Sequence, residues 1–325
     1  MMRHLHTTCL SVALISGLLS AQFAMAADIK IIPLGAVEGE FCQFDRALLL
    51  EDPDGTRLLY DPGRTVAGAD DKRLGNIDAV LVSHMHGDHV GDKHIKAASA
   101  GDCKDTPTYV SALPHTNAVN IAHAQGAKII TGSEMPKFFA AKFKALGGDP
   151  AKSQLVRFGA SVKLGGVTIT TVPAVHSNGI SGEMIGGELG ELLDASGLTA
   201  YAGPPTGYVL TFSNGLVVYL SGDTGVTSEQ KTLVRDQYAA RLVVMNIGDT
   251  YTTGPKEAAW VVNELIKPES VIASHANQPS TAGGKIIKGT RLEEFKKLSR
   301  PNVYVPISGQ AMSFNSSGKC TAGCE

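Results

Sequence analysis

Short apolar runs alternate with polar and glycine-rich connections along most of the chain. The runs at 79–83 and 216–220 are rich in Val and Leu and are followed by polar residues. Runs of this length and composition predict buried β-strands. Longer stretches with helical spacing of apolar residues, such as 134–146 and 291–298, predict amphipathic helices. Strands that alternate with helices in this way indicate an α/β protein.

The predicted elements form two related halves that face each other. In chain order the strands are predicted at 29–34, within 41–50, and at 58–60, 79–83, 108–110, 155–158, 161–164, 167–172, 208–212, 216–220, 242–247, 271–274, 303–306 and 311–314, and the helices at 114–125, 134–146, 228–238, 255–266 and 291–298. Residues 177–206 form the least regular connection, with one or two helical turns expected at 188–195. We interpret this connection as a lid over a site, the alternative being a packed segment without substrate contact.

A dense cluster of titratable residues follows the predicted strand at 79–83. His84, His86, Asp88 and His89 stand within one short segment. Residues two apart in extended backbone point to the same side, so His84 and His86 can converge on one cation. Asp88 and His89 can turn toward a second cation beside it. Imidazole nitrogen and carboxylate oxygen are zinc-type ligands, although a polar surface loop with several histidines would look the same in isolation.

Three further polar residues stand at the ends of apolar runs downstream. These are His176, Asp223 and His275. Strand ends in a layered α/β protein open onto one edge of a sheet, so all three can face the same site. One such residue alone is usually structural, but three of them together with a histidine cluster indicate a metal centre.

The order of these motifs resembles the metallo-β-lactamase fold superfamily. The match consists of HxHxDH at 84–89, a downstream His, a strand that ends in Asp and a strand that ends in His, and it extends over residues 28–314. The segments at 203–208, 221–225 and 247–259 also resemble the bacterial metal-dependent hydrolases grouped with ascorbate-6-phosphate lactonase. The resemblance implies a four-layer αββα sandwich, with two mixed sheets face to face and helices outside, formed by a single domain at 27–325.

The resemblance also implies the ligand sets and the reaction. The first metal is expected at His84, His86 and His176, the second at Asp88, His89 and His275, and Asp223 is expected to bridge both. Two divalent ions would share a water whose hydroxide attacks a carbonyl carbon or a phosphorus. Zinc is preferred on ligand type, and the lactonase group implies manganese as the alternative. Asp88 or a metal-bound water would relay a proton to the leaving group, so Asp88 and Asp223 are the expected catalytic residues.

Asp61 ends the predicted strand at 58–60 and precedes Pro62. The resemblance puts this Asp near the histidines of the first metal, and we expect it to accept the free N–H of a ligand imidazole. The alternative is an Asp that only starts a turn, since Asp-Pro often marks turns.

Residues 1–26 have the pattern of a secretory signal peptide. A weakly basic start precedes an apolar stretch at 10–19, and Ala24-Met25-Ala26 is an A-x-A cleavage site. The apolar stretch is shorter than the roughly 20 residues that a membrane span needs. We expect cleavage after Ala26, no stable membrane anchoring, and a periplasmic or secreted protein.

Cys42, Cys103, Cys320 and Cys324 follow the predicted cleavage site. An even number of cysteines in an oxidising compartment predicts disulfides, for which three pairings exist. Cys42–Cys103 with Cys320–Cys324 is favoured because only residues 321–323 separate the second pair, and free buried thiols are the alternative.

The distribution of charged residues argues against some classes of partner and substrate. The formal net charge is −2 and no basic stripe is evident, so we expect no nucleic-acid partner. Residues 177–212 contain no Lys or Arg, which argues against a lid that binds a sugar phosphate. We therefore expect an exported dinuclear hydrolase of a small ester, lactone or related acyl compound. A β-lactamase and a non-catalytic metal-binding protein on the same fold are the alternatives, and the sequence leaves the oligomeric state open.

Overall fold

The computed structural model describes residues 27–104 and 109–324. The predicted signal peptide at 1–26 lies outside the described residues, as does Thr108 of the strand predicted at 108–110. Within the two described ranges, no helix has both the length and the apolar character needed to cross a membrane.

The described residues form eight strands of the first sheet. From edge to edge they are Cys320–Ala322, Met312–Phe314, Ile29–Pro33, Leu48–Glu51, Arg57–Tyr60, Ala79–Leu81, Lys128–Thr131 and Ser153–Leu155. Neighbouring strands are antiparallel as far as Arg57–Tyr60 and parallel from there to Ser153–Leu155. The parallel strands end at the same edge of the sheet.

The second sheet contains seven strands within the part of the chain that the structure describes. From edge to edge they are Asn302–Tyr304, Ser270–Ser274, Leu242–Asn246, Val217–Leu220, Thr206–Thr211, Val167–Pro173 and Ser161–Leu164. The first four are mutually parallel, and the last three are antiparallel to their neighbours. This sheet is therefore also mixed.

Helices and short strand pairs complete the described fold. The helices are Gly87–Val90, Asn117–Ala124, Met135–Ala145, Pro150–Lys152, Gly182–Ile185, Gly187–Ala195, Gln230–Gln237, Pro255–Trp260, Val261–Ile266 and Arg291–Leu298. The short strand pairs are Lys93–Ile95 with Tyr109–Ser111, Gly179–Ile180 with Ala200–Tyr201, and Thr281–Ala282 with Lys285–Ile286.

The side-chain alternation of the strands forms three apolar layers. Leu48 and Leu50 join the core between the two sheets, whereas Leu49 faces the helices outside the first sheet. In the second sheet, Leu220 enters the inter-sheet core and Tyr219 packs with the outer helices. Because successive strand residues point to opposite faces, an apolar strand covered on both sides needs a layer on each face. The predicted αββα sandwich is confirmed.

Residues 177–206 are more regular than the sequence suggested. Helices Gly182–Ile185 and Gly187–Ala195 form a hairpin between the strands Gly179–Ile180 and Ala200–Tyr201. A Cβ atom added to Gly182 would lie 2.1 Å from the carbonyl oxygen of Gly190. Glycine therefore serves close helix packing at this point, which is why a high glycine content did not produce an irregular loop.

Several predicted elements differ in extent. The strand predicted at 155–158 forms instead at Ser153–Leu155, and the helix predicted at 114–125 begins later, where the Thr116 hydroxyl caps the N–H of Val119. The helix predicted at 228–238 is wound as a π-helix, in which the Tyr238 N–H donates to the Leu233 carbonyl oxygen at 2.9 Å. Apolar spacing does not distinguish this winding from an α-helix, so it could not be predicted from the sequence.

The structure pairs Cys42 with Cys103 and Cys320 with Cys324, as predicted. The first disulfide joins residues 61 positions apart. It therefore ties the segment after the first strand to the described chain beyond the HxHxDH motif.

Tyr208 links the two sheets by a buried hydrogen bond. Its side chain is fully buried in the second sheet, and its hydroxyl lies 2.8 Å from the carbonyl oxygen of Val82 and 2.9 Å from that of Ile130. Its ring also makes an edge contact with the Tyr60 ring of the first sheet. Because this buried hydroxyl of the second sheet donates to the first sheet, it constrains the position of the two sheets relative to each other.

Replacing Tyr208 by Phe is expected to lower the free energy of unfolding by about 1–2 kcal/mol, because two buried carbonyl oxygens lose their shared donor. Urea unfolding followed by circular dichroism measures the change. The control is Tyr304→Phe, since Tyr304 packs against the same core without an inter-sheet hydrogen bond among the described residues. Equal stability of Tyr208→Phe and the native protein would show that this bond does not stabilise the sandwich.

Candidate metal centre

The structure brings all seven predicted ligands together at one end of the sandwich. They follow the strands Ala79–Leu81 (His84, His86, Asp88, His89), Val167–Pro173 (His176), Val217–Leu220 (Asp223) and Ser270–Ser274 (His275). The first set belongs to one sheet and the other three residues to the second sheet. The site therefore exists only where the carboxyl ends of both sheets face each other.

His84, His86, His176 and Asp223 form the first group of ligand atoms. One ligand atom from each lies within 4.8 Å of all the others. The Nδ1 of His86 is 3.3 Å from the Nε2 of His176, and Asp223 Oδ2 is 3.7 Å from that same nitrogen. Atoms bound at about 2.1 Å to one tetrahedral ion lie about 3.4 Å apart. The separations in this group fit that geometry.

Asp88, His89 and His275 form the second group. Asp88 Oδ2 lies 3.7 Å from His89 Nε2 and 3.5 Å from His275 Nε2. Asp223 reaches this group as well, with Oδ1 3.3 Å from His89 Nε2 and Oδ2 3.0 Å from His275 Nε2. The Asp223 carboxylate thus contacts both groups.

Several buried atoms of the ligand residues lack a hydrogen-bond partner. Within the described chain these are His84 Nε2, His89 Nε2, Asp223 Oδ1, His275 Nδ1 and His275 Nε2. Unpartnered buried polar atoms are costly and need an explanation. Ligation of divalent cations supplies one for the three Nε2 atoms and Asp223 Oδ1, and the residues present fit two such ions.

Asp61 and Ser83 orient two of the imidazoles. Asp61 Oδ2 lies 2.8 Å from His89 Nδ1 and accepts the Ser83 hydroxyl at 2.7 Å. That hydroxyl lies 3.0 Å from His84 Nδ1. With the Nδ1 atoms engaged in this way, the Nε2 atoms of both imidazoles face the cluster. Asp61 thus contacts directly a histidine of the second group, and reaches the first group through Ser83.

The backbone is constrained at two of these positions. Asp61 has φ 40° and His275 has φ 51°, in the left-handed region that non-glycine residues rarely adopt. Each residue directly follows a strand of the buried core. Such conformations persist where the surrounding structure enforces them, and they are frequent at functional sites.

The three histidines of the first group have lowered pKa values, which suits them to bind a cation as neutral imidazoles. Burial, together with the neighbouring His89 imidazole, holds the pKa of His84 well below its usual range. Burial and the imidazoles of His176 and His89 lower the pKa of His86 to about 4. Burial also lowers the pKa of His176. These imidazoles are therefore neutral at pH 7 with lone pairs available.

Several carboxylates lie close to the second group of ligand atoms. Burial lowers the pKa of His89, but the carboxylates of Asp223 and Asp88, with Asp61, outweigh it and raise that pKa well above its usual value. Burial likewise opposes ionisation of Asp223, yet the His275 and His89 imidazoles keep the pKa of its carboxyl well below the usual range. A cluster of buried carboxylates attracts cations.

The buried side chain of Arg46 contacts Asp88, a residue of the second group of ligand atoms. Its side chain is only 2% exposed and lies 3.3 Å from Asp88 Oδ2. It also donates to the carbonyl oxygen of Gln43 at 3.0 Å and to Asn277 Oδ1 at 2.7 Å. Arg46 therefore connects a ligand of the first sheet to the chain that follows His275.

An open cavity of about 410 Å³ lies above the ligands. His86, Asp88, His176, Asp223 and His275 form its floor, and its walls are Gln43, Phe44, Arg64, Ser177, Tyr251 and Asn277. A second cavity of about 390 Å³ also touches His86 and Ser177 and extends beneath the 177–206 segment. A small molecule can therefore reach the ligand cluster from solvent.

Sequence reasoning missed the residues that support and surround the ligands. Ser83 could have been found, because it directly precedes His84 at the end of a predicted strand. Arg46 and Asn277 have no such signal, since they lie 231 positions apart and meet only in the folded chain. The wall residues Phe44 and Tyr251 were likewise not singled out.

Comparisons with known proteins agree with this architecture. The family model described as the Beta-lactamase superfamily domain matches residues 45–275. A UPF0173 metal-dependent hydrolase of Cupriavidus necator is 32% identical over 283 residues, covering 82% of this chain and 83% of that protein. A relative of the same name from Thermodesulfovibrio yellowstonii is 29% identical over 259 residues, covering 76% of this chain and 79% of its own.

The fold also matches a solved structure. Igni18, a metallo hydrolase from Ignicoccus hospitalis, superposes with a TM-score of 0.57 at 20% sequence identity, covering 88% of this chain and 99% of that one. With the family match over residues 45–275 and the His/Asp cluster at the strand ends, these likenesses identify the chain as a member of the metallo-β-lactamase superfamily and as a metal-dependent hydrolase.

Proposed function

We propose that the protein is an exported dinuclear hydrolase that cleaves a small ester, lactone or related acyl compound. One observation carries the proposal: two groups of metal-ligand atoms share Asp223 on the floor of an open cavity. We assign His84, His86 and His176 to the first ion, Asp88, His89 and His275 to the second, and Asp223 to both. Zinc suits the imidazole-rich first group, and manganese is the alternative.

The reaction divides between the bound ions and the side chains around them. When bound, the cations supply a nucleophile at neutral pH and polarise the substrate carbonyl. Asp223 holds the two halves of the site together. The Asp88 side chain is 23% exposed against 4% for Asp223, so Asp88 is the carboxylate that the leaving oxygen of a substrate can approach. Asp61 keeps the His89 ring oriented.

The side chains of the cavity wall offer no charge partner for an anionic group that extends beyond the two ions. Arg64 is the one Arg or Lys among the described residues that line the cavity. Its guanidinium forms two hydrogen bonds of 2.8 Å to the carboxylate of Asp92. Arg46, beneath the floor, is paired with Asp88. An anionic group away from the two ions would therefore find no unpaired cationic side chain on the wall, which argues against a sugar phosphate held there.

The cysteine pairing supports the export part of the proposal. Disulfides persist in oxidising compartments and are rare in the cytosol. The chain carries two of them, together with the A-x-A pattern at residues 24–26. We therefore propose a periplasmic or secreted protein that acts on a small molecule.

The purified protein should bind about two equivalents of zinc or manganese and hydrolyse at least one member of a panel of esters and lactones. His86→Ala should remove one ligand of the first ion, reduce the metal content and lower kcat/KM by at least about 100-fold. Mass-spectrometric metal analysis and the substrate panel measure the two effects, with a chromogenic cephalosporin included to test β-lactamase activity.

The matched control is His94→Ala, because His94 lies outside both ligand groups and faces the carbonyl oxygen of Ile95. It should retain metal and activity. Metal-loaded protein that turns over no panel member would refute the acyl-hydrolase proposal, and turnover of the cephalosporin alone would replace it by β-lactam hydrolysis.

Asp61→Asn should weaken the affinity for metal about 10- to 100-fold, because the His89 imidazole loses its charged hydrogen-bond acceptor. Competition with a chromogenic chelator measures this affinity. Asp52→Asn is the control: Asp52 is also buried and hydrogen-bonded, to the N–H and hydroxyl of Ser213, but it lies in the turn at the opposite end of the strand that leads to Asp61. Equal chelator competition by both variants would contradict a positioning role for Asp61.

The full-length chain expressed in a Gram-negative host should be recovered from the periplasm or medium with Ala27 as its first residue. Intact-mass analysis of the recovered protein identifies the cleavage point. Replacing Ala24 and Ala26 together by Leu should block processing and leave residues 1–26 attached. Unprocessed native-sequence protein in the cytosol would contradict export.

A further inference from the structure

A strained loop overhangs the cavity. It connects strand Leu242–Asn246 to helix Pro255–Trp260. Asp249 has φ 49° and Thr250 has φ 59°, so two consecutive non-glycine residues occupy the left-handed region. For a β-branched residue such as Thr this conformation is unusual and costs energy, so the surrounding structure must enforce it.

Both ends of this loop are tied to the chain beside the metal ligands. At its start, the Gly248 N–H donates to the Thr252 hydroxyl at 3.0 Å, and the Gly248 carbonyl oxygen accepts from Asn277 at 3.4 Å. At its end, the N–H and hydroxyl of Thr253 both donate to the carbonyl oxygen of Thr224. Thr224 follows the ligand Asp223, and Asn277 lies two residues beyond the ligand His275. The two ends of the loop are therefore held in position relative to the site.

The tip carries a large aromatic side chain. Tyr251 is 73% exposed and lines the cavity together with Phe44. The Phe44 ring is itself held by an edge contact with Tyr109 and by the Arg64 guanidinium, 5.7 Å from its centroid. Aromatic side chains that stay exposed at a cavity mouth bury their surface when a ligand enters.

We infer that Tyr251 determines substrate specificity by packing its ring on an aromatic, uncharged acyl group that enters the cavity alongside Phe44. The inference rests on the proposed function. The constrained backbone of the loop places Tyr251 at the cavity mouth in advance, so little backbone order is lost on binding. The pairing of Arg64 with Asp92 leaves the wall without a free cation, which favours an uncharged ring over an anionic one.

The test compares methyl phenylacetate with methyl acetate, which share a leaving group, on the zinc-loaded protein. The native protein should prefer methyl phenylacetate by kcat/KM, and Tyr251→Ala should reduce that preference about tenfold. Tyr251→Phe should keep it, because the ring and not the hydroxyl packs on the substrate. Tyr201→Ala is the control, since Tyr201 is 77% exposed but lines a different cavity.

A binding measurement separates this inference from the proposed function. Saturation-transfer NMR gives the affinities of phenylacetate and acetate, the acid products of the two esters. Phenylacetate should bind the native protein more tightly than acetate, and Tyr251→Ala should reduce the difference about tenfold. This result without turnover of any member of the ester and lactone panel would leave the aromatic subsite at Tyr251 standing and refute the hydrolase proposal.

Two results would overturn the inference. Turnover of both esters with the same preference in Tyr251→Ala as in the native protein would leave the hydrolase proposal standing but remove Tyr251 from it. Equal binding of the two acids to the native protein, or no binding of either, would exclude an aromatic subsite in this cavity.

Discussion

The site depends on one buried carboxylate held between imidazoles from two sheets. Asp223 comes from the second sheet and is 4% exposed, yet it lies within 4 Å of His84 and His89 of the first sheet. Burying a charge is unfavourable unless the surroundings compensate for it. The inter-sheet core brings the strand ends together, and Asp61 and Ser83 aim the imidazoles. The packing of the sandwich and the chemistry of the site are therefore inseparable.

Much of the fold was predictable because strands covered on both faces leave a clear apolar signal. The run at 79–83 and the one at 216–220 could be identified from composition alone, and the polar residues that follow them belong to the site. The HxHxDH spacing indicated the superfamily, and the resemblance to that superfamily implied the order of helix and sheet layers in the sandwich. Within 177–206, the helix Gly187–Ala195 agrees with the helical turns predicted at 188–195. Its pairing with Gly182–Ile185 was not predictable, because a glycine that relieves close packing looks the same in sequence as one that loosens a loop.

The supporting residues were beyond sequence reasoning for a different reason. Arg46 carries no periodicity or motif, and its contacts with Asp88 and Asn277 arise from distant segments. Tyr251 follows two residues whose left-handed backbone conformation cannot be deduced from Asp249 and Thr250 as residue types. Ligand residues are specified by spacing along the chain, whereas the walls and supports of a cavity are specified by tertiary contacts.

The Cys42–Cys103 disulfide has a consequence for the cavity itself. Cys42 directly precedes Gln43 and Phe44, which form one wall, and it lies four positions before Arg46. In a reducing compartment this wall would rest on noncovalent contacts alone, among them the hydrogen bonds that Asp45 accepts from the N–H groups of Ala36 and Cys42. Thiol oxidation therefore also anchors, by a covalent bond, the backbone that carries this wall of the cavity.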